Sequence, residues 1–176
     1  MIRQILLGAA AGAAGATALN AVTYLDMALR TRPASDTPER TAERLSELAH
    51  LPLPDDPQKR AARLTAIGAL AGIGTGAGVG AAYGLLQGAG IRLPVKAGSA
   101  VVTAMVLVAA NGPMVLLGIT DPRTWRPVDW AADLVPHAAF GAVTAAVYGA
   151  ATRADRPWWR RAAPPVAAVR RRARRR

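Results

Sequence analysis

Four long apolar stretches constrain the fold of this chain more than any other feature of its sequence. They cover about residues 5–28, 64–86, 95–119 and 130–151, and their interiors contain no Lys or Arg. A helix of about 20 apolar residues crosses the hydrocarbon core of a bilayer. A soluble Ala-rich bundle, the alternative, should carry a charged face on every helix. The pattern therefore predicts an all-α polytopic membrane protein, with one domain of four transmembrane helices over residues 1–152.

The positive charge is concentrated in an Arg-rich tail, residues 153–176. The whole chain carries a net charge of +11, and the stretch from 152 onwards holds ten Arg and one Asp. The twelve basic residues before it are nearly balanced by ten acidic ones. A basic tail without a recognition fold argues against nucleic acid as a partner. We expect the tail to attract anionic lipid at the membrane surface.

The distribution of Lys and Arg predicts the orientation. With four spans both termini lie on one side, and that side receives Arg3, Arg92, Lys96 and the tail, thirteen basic residues against nine in the first and third loops. Since excess Lys and Arg stay in the cytoplasm, we expect both termini inside a bacterial plasma (inner) membrane. The first span also resembles a signal peptide that ends at "ATA", residues 16–18, so its cleavage stays an open alternative.

Aromatic residues lie near the ends of the spans, where amphipathic rings prefer the membrane interface. Trp130, Trp158 and Trp159 are the predicted interface anchors. The same reasoning places Tyr24, Tyr83, Trp125 and Tyr148 near the interface.

The first loop contains the pattern of a short amphipathic helix. Thr37 is a candidate cap for a helix whose first residue is Pro38, and Pro52 and Pro54 follow its end. Apolar residues recur at helical spacing opposite a charged face. We expect this helix to cover loop backbone on the outer surface or across the bundle mouth, with a lid or a partner site as the alternative.

A row of glycines at four-residue spacing runs along the second span. Its members are Gly68, Gly72, Gly76, Gly80, Gly84 and Gly88. A dinucleotide fingerprint fits only as Gly76, Gly78 and Ala81, and it lacks both the preceding strand and the following acidic residue. In a membrane helix this spacing forms one ridge on which another backbone can pack closely. The row therefore predicts helix packing rather than a nucleotide site.

Two other spans offer small residues as partners for this row. The first span has Gly8, Gly12 and Ala16, and the fourth has Gly141, Ala145 and Gly149. Packing within one chain can use much of the row. A homo-oligomer that uses a second face of the same helix is the alternative interpretation.

Few polar side chains lie within the spans, and four of them are expected in the outer half of the bundle. These are Asp26, Asn111, Asp133 and His137. Ionisable groups at membrane depth are functional candidates, and imidazole exchanges a proton near neutral pH. The cluster is interpreted as a structural contact between helices, with a proton or solute site and a metal site as alternatives. The chain lacks cysteine and any arrangement of a catalytic nucleophile, so we expect no enzyme and no cofactor.

Two segments resemble those of known membrane proteins. "GITDPRTWRPVDWAADLVPHAAFGAVTAAVYGAATR" is similar to the closing segment of small bacterial inner-membrane proteins related to the YagU family, and "GAAAGAAGATALNAVTYLDMALRTRPASDTP" to their start. Trp130, Asp133 and His137 are the positions that match. A closer similarity is to uncharacterised Ala- and Arg-rich membrane proteins of high-GC bacteria. The resemblance implies a helical bundle in the plasma membrane and supplies no biochemical activity.

The sequence thus favours a small integral membrane protein with a structural or stress-related role. The alternative is a proton-coupled transporter or a channel-like homo-oligomer that uses the Asp and His residues of the outer half.

Overall fold

The structure, a computed structural model, describes residues 1–154, which form five α-helices and one short 3-10 helix. The α-helices are α1 (Ile2–Arg30), α2 (Thr37–Leu48), α3 (Pro57–Gly88), α4 (Val95–Leu116) and α5 (Pro127–Ala154), and the 3-10 helix is Pro122–Thr124. These described residues contain no strand. The prediction of an all-α fold is confirmed. The predictions for Trp158, Trp159 and most of the Arg-rich tail lie outside the described residues.

Four of these helices, α1, α3, α4 and α5, are long and apolar enough to cross a membrane. Even the shortest, α4 with its 22 residues, has a length of about 33 Å, which matches the hydrocarbon core. Large apolar side chains such as Leu6, Leu70 and Val108 are exposed on the outside of the bundle. Such a surface suits contact with lipid, so the chain is a multi-pass membrane protein.

The helix ends follow local signals rather than the limits of the apolar spans. The Asp56 side chain accepts a hydrogen bond from the Lys59 backbone N–H at 2.8 Å, and Pro57 occupies the first helical position. α3 therefore begins in a polar segment, seven residues before the predicted span. The expectation that Thr37 caps α2 is wrong by one residue. Thr37 is the first residue of the helix, and Asp36 is at the cap position.

The four long helices form a ring in which each packs on its neighbours. α1 packs against α3 and α5, α4 packs against α5 and more loosely against α3, and α2 lies on α3. The buried apolar core comprises Ala11, Val79, Tyr83, Val102, Val106, Phe140, Ala145 and Tyr148. α2 contacts the first turns of α3, where Glu43 and Arg60 form a 2.6 Å ion pair.

The contact between α1 and α3 is made backbone to backbone. A methyl group on Gly8 would overlap the carbonyl oxygen of Gly80, and one on Gly80 would overlap the carbonyl oxygen of Gly8. Gly12 meets the Gly76 carbonyl in the same way one turn along, and Gly84 meets the Gln4 carbonyl. Surfaces without side chains permit this approach, which suits Cα–H···O contacts and van der Waals packing in a bilayer.

The rest of the glycine row has other surroundings. A Cβ atom on Gly68 would lie 3.0 Å from Pro38 of α2, and one on Gly88 would lie 3.2 Å from the Gln4 side chain. At Gly72, as at the neighbouring glycines Gly74 and Gly78, nothing among the described residues lies within 4 Å of such an atom. Only part of the row therefore faces α1.

The small residues of α5 face α4 and α1 rather than the glycine row. A methyl group on Gly141 would overlap the Thr103 hydroxyl, and one on Gly149 would lie 3.3 Å from Val95, both on α4. The expectation that these two glycines pair with the row differs from the structure. α5 instead meets α1 at Gly15, where an added methyl group would overlap the Thr144 hydroxyl.

Candidate polar site in the membrane domain

Three polar side chains from α4 and α5 converge in the half of the bundle that is distant from the N-terminus. The Asn111 Nδ2 group donates a hydrogen bond to Asp133 Oδ2 at 3.0 Å, which joins the two helices. His137 Nδ1 lies 2.7 Å from the backbone carbonyl of Asp133 and 3.4 Å from its Oδ1. The His137 and Asp133 side chains are only 12% and 18% exposed. We call these three residues the outer cluster.

The positions of the outer cluster follow from helix geometry. Asp133 and His137 are one turn apart and therefore share a face of α5. Pro136 lies inside the same helix, and Pro113 lies just after Asn111 inside α4. Because proline lacks an N–H donor, each removes one hydrogen bond from its helix. The outer cluster thus lies where both helices have lost part of their backbone pairing.

The outer cluster places a carboxyl group beside an imidazole. Asn111 is neutral, so His137 is the basic side chain that the structure places against Asp133. An ionised carboxylate at membrane depth is costly without a cation, and a neutral imidazole does not supply one. An imidazole beside a carboxyl group is an arrangement that suits proton transfer. They also tie α4 to α5 through Asn111.

Asp26 is engaged elsewhere. Its Oδ2 accepts hydrogen bonds from Arg30 at 2.6 Å and from Arg32 at 2.7 Å. It lines a cleft with Val135 of α5, which is two residues from both Asp133 and His137 and so lies on the other side of that helix. The expected four-residue cluster is therefore corrected to three residues. Arg30, the last residue of α1, and Arg32, two residues later, neutralise Asp26 where it stands.

A second polar network lies at the opposite end of the bundle, and it was missed by sequence reasoning. The Tyr148 hydroxyl donates to Gln4 Oε1 at 2.6 Å, and Gln87 Nε2 donates to the Tyr83 hydroxyl at 2.7 Å. The two tyrosine rings meet edge to face with centroids 5.3 Å apart. Gln87 also bonds to the backbone of Leu93. A signal was present, because Tyr83 and Gln87 are one helical turn apart.

The placement of these tyrosines corrects an expectation. Tyr83 is 1% exposed and Tyr148 is 5% exposed, so both rings point into the core of the bundle rather than outward toward lipid. Trp130 differs, because it is 48% exposed and makes an edge contact with Trp125. The Trp125 indole N–H donates to the Thr120 hydroxyl at 2.8 Å.

The middle of the bundle separates the two polar regions. Phe140, Val102 and Val106 are buried there, between the outer cluster and the tyrosine network. Thr144 is fully buried beside Gly15, and its hydroxyl makes no hydrogen bond in the described part of the chain. Thr144 is therefore packed tightly between α1 and α5.

Charged residues occupy the loop that precedes α5. Arg126 donates to Asp129 through its side chain at 3.2 Å, and this hydrogen bond raises the pKa of the Arg126 guanidinium above its ordinary value. Within residues 1–154, no three His, Cys, Asp or Glu side chains are grouped closely enough to hold a metal ion.

Comparisons of the chain with protein-family models, with curated proteins and with solved structures found no match. The geometry of the described residues therefore carries the functional argument.

Proposed function

We propose that this chain is a small structural protein of the bacterial plasma membrane, without catalytic chemistry, whose role is to support the cell envelope under stress. The observation that carries the proposal is the use of polar groups as ties between helices. Asn111 and Asp133 join α4 to α5, and Tyr148 and Gln4 join α5 to α1. Buried apolar side chains such as Phe140 fill the space between these ties. A bundle whose helices are tied together in this way suits a scaffold.

The proposed placement has both termini in the cytoplasm, with the Arg-rich tail on anionic lipid. Positive charge retained inside supports it. A single cysteine added after Arg176 tests it cleanly, because the chain has no cysteine of its own. We expect an impermeant thiol reagent to label this cysteine only after the cells are opened. Labelling in intact cells contradicts the proposed orientation.

The proposal includes a relationship to the YagU-like inner-membrane proteins. It is supported by the matching positions Trp130, Asp133 and His137, of which the latter two belong to the outer cluster.

The structural role is tested by function in cells and by flux in vesicles. We expect deletion of the gene to sensitise cells to acid, osmotic or detergent stress, and we expect both the wild type and His137→Ala to restore growth. Liposomes containing the purified chain should pass protons no faster than empty liposomes. Unchanged stress tolerance after deletion contradicts the proposal.

A second candidate is a proton-coupled transporter or a channel-like homo-oligomer. The observation in its favour is that Asp133 has an imidazole beside it rather than a permanent cation, so the pair is able to exchange a proton. Proton flux into pyranine-loaded liposomes that disappears in His137→Ala, and persists in Arg123→Gln as a surface control, supports this candidate over the structural one. Equal flux in the wild type and His137→Ala excludes it.

A further inference from the structure

A cleft opens between α1 and α5 at the end of the bundle that is distant from the N-terminus. It has a volume of about 290 Å³. Its walls are apolar and include Val22, Val128, Ala132 and Val135, while Asp26 and Arg30 form its mouth. Val135 is 57% exposed and therefore borders the lipid rather than the bundle interior. The cleft thus combines an apolar groove beside the membrane with a charged rim.

The charged rim has an excess of positive charge. Asp26 is shared by Arg30 and Arg32, with N–O distances of 2.6 and 2.7 Å. Asp129, which is paired with Arg126, also interacts electrostatically with Arg30. Among the described residues of this ion-pair network, the three arginines Arg30, Arg32 and Arg126 interact with the two aspartates Asp26 and Asp129, which gives the network a net charge of +1. This balance favours an anionic ligand.

The arginines also retain hydrogen-bonding capacity. A guanidinium group carries five N–H donors. In the structure Arg30 donates to Asp26, and Arg32 donates to Asp26 and to the Pro33 carbonyl. Their side chains are 38% and 27% exposed, so an anion can reach them. Guanidinium groups match phosphate oxygens in both charge and geometry.

The position of the cleft along the bundle selects the source of the phosphate. Arg30 is the last residue of α1, at the end of a predominantly apolar span, which is the level of lipid headgroups. The apolar walls continue from there toward the membrane centre. A phospholipid contacts both parts of the cleft, with its phosphodiester at the charged rim and an acyl chain along the apolar walls. Inorganic phosphate contacts the rim alone.

We propose that the cleft between α1 and α5 binds an anionic phospholipid of the leaflet opposite the N-terminus, with its phosphodiester on Arg30 and Arg32 and an acyl chain along Val22 and Val135. The proposal requires only that the chain crosses the membrane. It is independent of the structural role and of the orientation proposed above.

Photo-crosslinking with mapped products tests the proposal on the full chain. The protein is reconstituted in phosphatidylcholine vesicles that contain a diazirine-labelled acyl chain on either phosphatidylglycerol or phosphatidylcholine. We expect the phosphatidylglycerol probe to label α1 and α5 at the cleft several-fold more than the phosphatidylcholine probe. Mapping the labelled residues separates this site from the Arg-rich tail, which every variant retains. Equal labelling by the two probes overturns the proposal.

Charge variants at the rim should change the labelling in opposite directions. Arg30→Gln and Arg32→Gln should each lower the labelling about fivefold, which is the attraction of one basic residue near an anionic surface. Asp26→Asn should raise it. Arg123→Gln is the matched control, because Arg123 lies at the same end of the bundle with its side chain 90% exposed. Labelling that is unchanged in both glutamine variants of the rim overturns the proposal.

Two further experiments test the apolar groove and the identity of the ligand. Val135→Phe fills the groove without a change of charge, at a position exposed enough to tolerate it, and should abolish the labelling while the melting temperature stays unchanged. Labelling at the wild-type level in this variant places the lipid elsewhere and overturns the proposal. Added inorganic phosphate should not compete, and competition by it assigns the rim to free phosphate instead of lipid.

Discussion

Two faces of α3 carry the same residue and have opposite surroundings. On one face Gly80 and Gly84 touch the backbone of α1, so an added methyl group at either position would overlap a carbonyl oxygen. On the other, Gly74 and Gly78 have no atom within 4 Å of an added Cβ among the described residues. Glycine spacing alone therefore indicates a surface on which another helix can pack closely. Glycine is required only at the positions where a neighbouring helix actually packs.

The largest expected effect is at the centre of the packed face. Gly80→Leu places a branched side chain where the backbone of Gly12 already lies 2.6 Å from an added Cβ. Because backbone cannot move aside as a side chain does, we expect a loss of more than about 3 kcal/mol in the free energy of unfolding. Thermal or denaturant unfolding in detergent measures it. Gly78→Leu is the matched control, and equal losses in the two variants contradict the comparison.

The open face has its own expected effect, which concerns association rather than folding. If a second copy packs on Gly74 and Gly78, leucine at either position blocks it. In that case Gly78→Leu should shift the detergent-corrected mass from an oligomer to a monomer, with the melting temperature kept within a few degrees. A wild-type protein that is already monomeric in lipid nanodiscs removes the homo-oligomer from consideration.

A smaller effect is expected where side chains, not backbone, oppose the glycine. An added Cβ on Gly76 lies 3.0 Å from the Ala16 Cβ and 3.2 Å from the Phe140 ring. These neighbours can shift slightly, so Gly76→Ala should destabilise the bundle by about 1 kcal/mol. Gly74→Ala, which meets no neighbour, should be neutral or slightly stabilising because alanine favours the helix. The same unfolding assay ranks both, and the reverse order refutes the assignment of the two faces.

The smallest effect is expected for the loss of one hydrogen bond between helices, which can be compared with the loss of the glycine contact. Asn111→Ala removes the hydrogen bond to Asp133 between α4 and α5. Hydrogen bonds between membrane helices contribute on average about 0.6 kcal/mol, so we expect a loss near that value. Asn20→Ala, at an exposed position of α1, is the control for removal of an amide. A loss for Asn111→Ala that exceeds the loss for Gly80→Leu shows that polar ties, rather than backbone packing, hold the bundle.

The membrane fold could be predicted from the sequence because the hydrocarbon core of a bilayer permits few backbone conformations. Backbone groups that cannot reach water must pair within a helix, so apolar length alone predicts the four long helices. The ends of the helices were harder to predict. Asp56 and Pro57 begin α3 in a polar segment, and Gly118, whose φ of 68° suits glycine, follows the end of α4.

The polar site was predictable only in part. One-turn spacing puts Asp133 and His137 on one face whatever the packing, so their proximity follows from the helix. Whether Asp26 joins them depends on the rotation of α1 about its axis, which depends on contacts such as Gly8 with Gly80 that span the sequence. The pairing of Gln4 with Tyr148 is equally non-local, and no periodicity within one helix indicates it.

The reciprocal contact between Gly8 and Gly80 also orders the assembly of the chain in time. α1 and α3 are the first and second spans to be synthesised, so their interface can form before α5 has entered the membrane. α4 and α5 form a second consecutive pair through Gly141, and the junction of Gly15 with Thr144 joins the pairs last. A chain that is truncated after Gly90 and released into the membrane should therefore hold its two spans together as a hairpin without α4 and α5.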